Sequence, residues 1–276
     1  MDTVPETIGM LAGNGAYPRI FADNARAAGV RRLVAAAFVG ETDAGLQDQV
    51  DVLEWLRVGQ LSRLIRLFRK EGVERAVMVG QIAPRNLFDL RPDLRTMKLL
   101  YRVRERNAES LFAAIAAELS EEGIELLAAT TFLEHLLAAE GPLFGPRLTE
   151  RQLADAAYGF RIAKETSRLD IGQTVVVRNG TVLAVEAFEG TNEAIRRGGT
   201  WGKGQAIAVK VSKPRQDLRF DVPVVGPGTV EAAAECGVAA LVVEAGRTLL
   251  LEGESVDRLC REKGIGMHGW GGSGDE

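Results

Sequence analysis

The sequence predicts two α/β domains, and three observations support this. In the first 140 residues, short apolar runs alternate with amphipathic segments, a pattern typical of a parallel sheet covered by helices. Glycine and proline then cluster in EGPLFGPRLT, at 140–149, which predicts a linker. Beyond it β-branched runs dominate, and two of them flank Asn179-Gly180, a strong hairpin signal. We therefore expect domains at 1–144 and 145–276.

The elements of the first domain follow from its periodicity. Buried strands are predicted at IGMLAG, RLVAAAFVG, VDVLEWL and RAVMVG. A helix is predicted at 16–28, and apolar residues at 61, 64, 65 and 68 mark one face of a second helix. Two more helices are expected at about 94–105 and 108–122. This alternation predicts a Rossmann-like parallel sheet.

The second domain mixes a hairpin with strand–helix alternation. Thr149 and Gln152 have capping-box spacing, so a helix is expected from there to about Arg168. Further strands are predicted at AIAVKV, VPVVG, ALVVEAG and TLLLEG, with helices at about 228–236 and 254–263. An antiparallel hairpin beside such alternating elements predicts a mixed sheet.

Composition and charge exclude several classes. The chain of 276 residues is 46% hydrophobic and 26% charged, as globular proteins are. Its net charge of -4 argues against a protein that wraps nucleic acid. Cys236 and Cys260 form no spacing motif and are expected to be reduced thiols. No apolar run approaches the roughly 20 residues of a membrane span, and the N-terminal segment lacks a basic signal region, so we expect a cytoplasmic protein.

A glycine turn, LAGNGAYP, is the first candidate site. Gly13 and Gly15 lie between a predicted strand and helix, where backbone N–H groups and the helix dipole can face an anion. Pro18 replaces the third glycine of a dinucleotide fingerprint, and Glu41 and Asp43 are weak candidates for a ribose contact. Three interpretations stay open: a phosphate or sugar contact, a turn that only connects, and the site of an NAD-dependent oxidoreductase.

A basic tract is the second candidate. Between Arg85 and Arg106 there are seven basic and three acidic residues, and 62–70 repeats the pattern. Apolar residues interleave with these charges, as in amphipathic helices that meet anionic membranes or phosphates. The alternative is a solvated helix face.

The polar residues of the second domain are the third candidate. Carboxylates beside cations at strand ends suit oxygen coordination of Mg²⁺ and recognition of phosphate. The alternative is a surface salt-bridge loop. The candidates are Asp170, Gln173, Glu186, Glu189, Thr191, Lys213, Arg215, Asp217 and Asp221.

Two histidines are too few for a histidine-rich two-metal phosphoesterase. His135 is expected to pack on an apolar helix face, and His268 to be incidental beside a glycine-rich tail. The chain also lacks the serine-hydrolase elbow, the P-loop and the zinc-protease motif.

Taken in order, five motifs resemble a known family. They are LAGNGAYP, RLDIGQTVVV, LAVEAFEGTNEAI, KPRQDLRFDVPVVG and EAGRTLLL. The family is that of UDP-2,3-diacylglucosamine pyrophosphatases of lipid A biosynthesis, in the two-domain form unrelated to calcineurin-like phosphoesterases. The resemblance runs from about Ile8 to His268.

The resemblance implies hydrolysis of UDP-2,3-diacylglucosamine to UMP and 2,3-diacylglucosamine 1-phosphate, lipid X, with Mg²⁺ or another divalent cation such as Mn²⁺. It also implies a homodimer at the cytoplasmic face of the inner membrane. The family's essential aspartate matches Asp221, with Glu189 and Asp217 as further candidate metal ligands. Residues matching substrate-binding positions are Gly13, Gly15, Asp170, Gln173, Thr191 and Lys213.

Two departures from the family pattern leave a rival interpretation open. The family usually has an aspartate where this chain has Asn192, and often has Gly-Asp-Asp where this chain has Asn107-Ala108-Glu109. Asparagine keeps an oxygen ligand but loses the charge, which weakens metal binding. The rival is therefore a protein that binds the lipid or a nucleotide sugar without turnover.

Overall fold

A computed structural model describes residues 4–82, 92–103, 108–214 and 216–271. The chain divides into two compact units. The first is Met1–Glu134 with Asp217–Asp221, and the second is His135–Gln216 with Val222–Glu276. The α/β fold class predicted from the sequence is confirmed, with a parallel sheet in the first unit and a mixed sheet in the second.

The first unit contains a five-stranded parallel sheet in the order β3-β2-β1-β4-β5. This is the strand order of the Rossmann-like folds. The strands are β1 (Thr7–Ala12), β2 (Arg32–Phe38), β3 (Val52–Leu56), β4 (Arg75–Val79) and β5 (Glu125–Leu126). The helices are α1 (Tyr17–Ala27), α2 (Leu61–Lys70), α3 (Leu94–Arg102) and α4 (Ala108–Glu121).

The central strands of this sheet are apolar on both faces. Every residue of β2 after Arg32 is buried, as is nearly all of β1. A strand covered by helices on both sides requires this near-continuous apolar run. Phe68 of α2 and Leu119 of α4 are fully buried in the core on one face.

The second unit contains a six-stranded mixed sheet in the order β6-β13-β11-β9-β7-β8. Its strands are β6 (Gly141–Phe144), β7 (Thr174–Arg178), β8 (Thr181–Val185), β9 (Ala206–Lys210), β11 (Val238–Glu244) and β13 (Gly266–Trp270). Two short strands, β10 (Val224–Val225) and β12 (Leu249–Leu250), pair only with each other. The helices are α5 (Glu150–Arg168), α6 (Thr191–Gly202), α7 (Pro227–Glu235) and α8 (Gly253–Lys263).

Local signals predicted several of these elements well. Thr149 and Gln152 form the predicted capping box at the start of α5. The hairpin of β7 and β8 turns at Asn179 and Gly180, both with positive φ. The carboxylate of Asp155 accepts the N–H groups of both turn residues, at 2.8 and 2.7 Å, and so anchors the hairpin to α5.

Elsewhere, tertiary contacts gave a structure different from the one predicted from the sequence. The segment predicted as a linker contains β6, an edge strand that pairs with β13. Residues 217–221 pack with the first unit rather than with the domain to which they were assigned. The carbonyl of Leu218 accepts the N–H of Ala129 at 2.7 Å, and Phe220 packs against the core of that unit.

The expectation for His135 was wrong. His135 is exposed and lies in a three-residue 3₁₀ helix, Glu134–Leu136, rather than on an α-helix face. The flanking chain is instead held by distant residues, since the N–H groups of Ala129 and Ala138 donate to the carbonyls of Leu218 and Thr248. His268 lies within β13, and burial lowers its pKa.

Cys236 and Cys260 are free thiols, and burial raises the pKa of Cys260 to about 11. Among the described residues, no helix combines the length and the apolar character needed to cross a membrane.

Helix α6 packs against the sheet at two consecutive glycines, Gly198 and Gly199. A Cβ atom at Gly198 would lie 2.5 Å from Cβ of Val176 on β7, and one at Gly199 would lie 2.3 Å from Sγ of Cys236. Only glycine permits this close approach of α6 to β7 and to Cys236.

We expect Gly198→Ala to lower the free energy of unfolding by about 1–3 kcal/mol, because the added methyl overpacks a buried contact. Gly228→Ala in α7 is the matched control, since a Cβ there meets no atom within 4 Å. Urea unfolding followed by circular dichroism measures both. Equal midpoints for Gly198→Ala and the wild type would show that α6 can move away from β7 at little cost.

Candidate functional site

Polar residues gather at one edge of the second sheet. Strands β9, β11 and β13 are parallel, so their carboxyl ends lie at the same edge. Strand β7 runs the opposite way and begins there, with Thr174 opposite Lys210. The N–H of Glu186, just after β8, donates to the carbonyl of Thr174 at 2.8 Å. The carboxyl edge of parallel strands is where α/β proteins commonly bind ligands.

The hydroxyl of Thr191 connects three of these residues. It donates to Oε1 of Glu186 at 3.0 Å. It accepts from Nζ of Lys210 at 3.2 Å and from the hydroxyl of Thr174 at 3.3 Å. One donor bond and two acceptor bonds use the full capacity of a hydroxyl. Thr191 therefore organises this cluster, and direct contact between Thr191 and a substrate stays a prediction.

Lys210 is a site residue that the sequence analysis missed. Only 9% of it is exposed, and its Nζ also donates to the carbonyl of Val224 at 3.1 Å. Buried lysines are rare unless they are paired. The signal was present in AIAVKV, where a lysine ends an otherwise apolar strand, but we assigned that segment only to a strand.

A second buried charge network lies at the same edge. Both carboxylate oxygens of Glu244, at the end of β11, accept from Nζ of Lys164 on α5 at 2.7 Å. The N–H and hydroxyl of Ser212 also donate to Glu244, at 2.7 and 2.8 Å. These bonds tie the chain after β9 to β11 and α5. The sequence analysis singled out none of these three residues.

Two buried acceptors at this edge have no hydrogen-bond partner. They are Oε2 of Glu186, a residue only 7% exposed, and Oε1 of Gln173. An unsatisfied buried acceptor costs about 1–3 kcal/mol. Such atoms indicate a site at which a ligand supplies the missing hydrogen-bond donors. Hydroxyl or amide N–H groups of a ligand are donors of this kind.

Lys213 and Asp170 form an ion pair beside this cluster. The N–H of Lys213 donates to Oε1 of Gln216 at 2.6 Å, which fixes the start of the loop after β9. Gly172 lets the loop that carries Asp170 approach Glu186, since a Cβ at Gly172 would lie 2.0 Å from the Glu186 carbonyl oxygen. The structure thus brings together Asp170, Gln173, Thr191 and Lys213 within one unit.

The carboxylate of Glu189 already has partners. It accepts from Nη2 of Arg197 at 2.5 Å and from the N–H of Ala187 at 3.1 Å. The bond from Arg197 is the largest cause that lowers the Glu189 pKa. Asn192 lies next to Thr191 in the first turn of α6 and is partly buried.

Asp217 and Asp221 lie in one turn of the first unit. The N–H of Asp221 donates to the carbonyl of Asp217 at 3.1 Å. Both carboxylate oxygens of Asp217 accept from Arg219, at 2.6–3.1 Å, and the guanidinium holds the Asp217 pKa below its usual range. Phe220 anchors this turn by packing on Phe112, with ring centroids 5.6 Å apart. Arg215 lies outside the described residues.

The glycine turn is closely packed. The N–H groups of Gly13 and Asn14 donate to the carbonyls of Val79 and Gln81, at 2.8 and 2.7 Å. A Cβ at Gly13 would lie 2.4 Å from the Gln81 carbonyl oxygen, whereas Gly15 has a φ of +84° and open space. These two N–H groups therefore bind backbone rather than an anion, and substrate contacts of Gly13 and Gly15 stay predictions.

The weak ribose candidates have other partners. Glu41 accepts from the side chain of Asn14 at 3.0 Å, and Asp43 accepts the N–H of Gly45 at 2.7 Å, which caps a short 3₁₀ helix. These contacts account for both carboxylates without a nucleotide.

The predicted metal ligands belong to different units, Glu189 to the second and Asp217 with Asp221 to the first. Within the described ranges, there is no group of three or more histidine, cysteine, aspartate or glutamate side chains that could hold a metal ion. Mg²⁺, however, is commonly held by one or two carboxylates together with substrate phosphates. The two aspartates of the 217–221 turn suit that mode by their chemistry, although Asp217 is already paired with Arg219.

Fold and site together define a class. It is a Rossmann-like unit joined to a mixed α/β unit in which a buried lysine and two buried glutamates lie at the strand ends. Comparison with known proteins identifies the family. The model of the LpxI N-terminal domain matches residues 7–136, and that of the LpxI C-terminal domain matches residues 139–268. The chain belongs to the LpxI family.

One curated relative supports the assignment over the whole length. It is the UDP-2,3-diacylglucosamine pyrophosphatase LpxI of Caulobacter vibrioides, 30% identical over 269 residues. The match covers 94% of this chain and 95% of the relative. The family resemblance stated from the sequence motifs is therefore confirmed.

We expect Thr191→Val to lower the free energy of unfolding by about 1–3 kcal/mol, because Glu186 and Lys210 lose a buried partner. Thr191→Ser keeps the hydroxyl and should recover most of the loss. Thr200→Val is the control on the same helix, since the Thr200 hydroxyl is exposed and bonds only to Arg196 within α6. If Thr191→Val and Thr200→Val unfold alike in urea, the hydroxyl does not organise this cluster.

Proposed function

We propose that this protein hydrolyses the pyrophosphate of UDP-2,3-diacylglucosamine, releasing UMP and 2,3-diacylglucosamine 1-phosphate, lipid X, in lipid A biosynthesis. The observation that carries the proposal is the match to both LpxI domains, together with a relative of that activity aligned over 94% of the chain. The site chemistry supports the same substrate class, as follows.

The second unit offers groups for the charged and the polar parts of such a substrate. Lys213 is partly exposed at the sheet edge, and its ammonium can exchange its bond to Asp170 for a phosphate oxygen. Sugar hydroxyls and the amide N–H of an acylated glucosamine are donors, and they suit the unsatisfied oxygens of Glu186 and Gln173. Lys210 and Thr191 hold the Glu186 carboxylate in place for that contact.

In the reaction, the oxygen of a water molecule bonds to one phosphorus and gives a proton to a base. The bridging P–O bond breaks at the same time, and the bridging oxygen leaves on the other phosphate. Two negative phosphates must be neutralised as this charge develops. We assign part of that neutralisation to Lys213. We assign to Asp221 a role at the reacting pyrophosphate, as candidate base or metal ligand.

We further propose dependence on Mg²⁺ or Mn²⁺, with Asp221 as a ligand and Asp217 and Glu189 as secondary candidates. Such a cation neutralises phosphoryl oxygens and lowers the pKa of a bound water. Because Asp217 and Glu189 are each paired with an arginine, their participation requires that those pairs open.

Location and assembly are also proposals. A substrate with two acyl chains belongs to a bilayer, so we propose a cytoplasmic protein that associates peripherally with the inner face of the inner membrane. We also propose a homodimer, on the basis of the family resemblance. Light scattering of the purified chain tests the dimer directly.

One observation favours a second candidate function. Asn192 replaces the aspartate that the family pattern usually has beside Thr191. A chain that lost one required carboxylate would bind the lipid or a nucleotide sugar without turning it over. Saturable binding with no release of UMP under any divalent cation would support this alternative.

The function is tested by incubating the purified protein with UDP-2,3-diacylglucosamine in detergent micelles and following products by phosphorus NMR. We expect release of UMP with Mg²⁺ or Mn²⁺, and none after EDTA. Release that EDTA leaves unchanged would remove the cation from the mechanism. Neither binding nor turnover of this lipid would overturn the proposed function.

For Asp221→Asn we expect a loss of about a hundredfold or more in kcat, of the size seen when one transition-state contact is removed. The substitution keeps the shape of the side chain and removes its charge, so the unfolding curve should change little. Asp48→Asn, at an exposed carboxylate of the same unit, should keep wild-type activity. Undiminished kcat in Asp221→Asn would exclude Asp221 from catalysis.

A further inference from the structure

Helix α3 exposes an apolar stripe. Leu94, Met97 and Tyr101 are 78%, 54% and 91% exposed, and their spacing places them on one face of the helix. The contacts of α3 with the rest of the unit come from another face, where Thr96 and Leu99 are buried. A contiguous exposed apolar surface of this kind usually marks an interaction site.

Cations surround the stripe. Lys98 lies on the same face of α3 as the stripe. The side chain of Arg102, one turn further along the helix, is 73% exposed. Helix α2 lies beside α3, and the two helices border a shallow cleft of about 500 Å³. Four cations and one carboxylate are among its lining residues, which are Ser62, Ile65, Arg66, Arg69, Lys70, Arg95 and Glu122.

Polar contacts hold the two helices in this arrangement. Oδ1 of Asp93 accepts the N–H of Thr96 at 2.9 Å, and Oδ2 accepts the N–H of Ser62 at 2.6 Å, so one carboxylate caps both helices. Burial opposes its ionisation, but these hydrogen bonds outweigh burial and lower the Asp93 pKa. Arg95 is bound to Glu118 and Glu122, at 2.6 and 2.7 Å. The stripe is thus presented on a fixed helix.

We propose that α3 and the basic side of α2 dock on the anionic headgroups of a bilayer, with Leu94, Met97 and Tyr101 inserted at the interface. Apolar and aromatic side chains flanked by lysine and arginine are the composition of helices that lie in a membrane surface. The proposal rests on the proposed function in one respect, because an enzyme that hydrolyses a substrate with two acyl chains must reach that substrate in the bilayer.

Charge favours a bilayer over a second copy of the chain. In a two-fold symmetric dimer the same patch meets itself, so the cations of α2 and α3 would face their own copies. Anionic lipids instead attract each lysine or arginine near the surface. A dimer formed through this face is therefore an outcome that would overturn the proposal.

The test is cosedimentation of the full chain with vesicles. We expect binding to vesicles that contain phosphatidylglycerol, weak binding to phosphatidylcholine alone, and a decrease as salt is raised. The variant Leu94→Ser/Met97→Ser/Tyr101→Ser should bind at least about tenfold more weakly, because the inserted apolar area is lost. The matched control is Val39→Ser/Trp201→Ser, at residues 57% and 69% exposed elsewhere.

A second pair of variants tests the charges. Arg66→Glu/Lys98→Glu should weaken binding by at least roughly fivefold for each cation removed. Arg258→Glu/Lys263→Glu makes the same charge change on the exposed face of α8 and should bind like the wild type. If both pairs weaken binding equally, only net charge matters and the proposed surface is wrong.

Activity assays separate this proposal from the proposed function. The α3 variants should keep wild-type turnover of substrate in detergent micelles and lose turnover of substrate embedded in vesicles.

Wild-type binding to vesicles by the α3 variants would overturn the docking surface while leaving the hydrolase intact. A wild type that docks on vesicles but never releases UMP would overturn the hydrolase alone. Conversion of a dimer to a monomer by the α3 substitutions, with vesicle binding unchanged, would reassign the stripe to an interface between copies.

Discussion

The second unit depends on how it pairs charges that lie inside the protein. Lys210 and Glu186 are both at least nine-tenths buried, and the hydroxyl of Thr191 bonds to both. An unpaired charge at such a depth would cost several kcal/mol. Thr191 lies at the start of α6, a helix that packs closely on β7 through Gly198. The pairing of these buried charges therefore depends on how this helix packs against the sheet.

The network around Glu244 also pairs a buried charge, but its role is to hold the chain in place. Both oxygens of the Glu244 carboxylate accept hydrogen bonds, from Lys164 and Ser212, so it fixes the loop after β9. Glu186, by contrast, keeps one oxygen unsatisfied. Two buried glutamates at one sheet edge thus differ in their hydrogen bonding, and that difference makes Glu186, rather than Glu244, the candidate for contact with a ligand.

The turn that carries Asp221 illustrates how sequence order and packing can disagree. Residues 217–221 follow β9 along the chain, yet Leu218 and Phe220 attach them to the first unit. Periodicity could not show this, because the segment is short, polar and without regular structure. The family resemblance made Asp221 a candidate, but it did not indicate which unit holds that residue.

Elements with strong local signals were predictable from sequence. The capping box of α5, the Asn179-Gly180 hairpin and the apolar strands of the first sheet depend on neighbouring residues, and all three formed as expected. The ambiguous cases were those with weak local signals. The Gly/Pro-rich segment became β6, and the apolar stretch around His135 did not become a helix, because hydrogen bonds to distant strands decided both.

By itself, the sequence determined the fold class, the order of most helices and strands, and the family, because periodicity, turn residues and motif order are local properties of the chain. Only the tertiary structure decided which polar groups meet. Lys210 looked like the end of a strand, and Thr191 like the start of a helix. Their contact depends on the pairing of β9 with β7 and on the depth at which α6 packs, and both are set by residues far away along the chain.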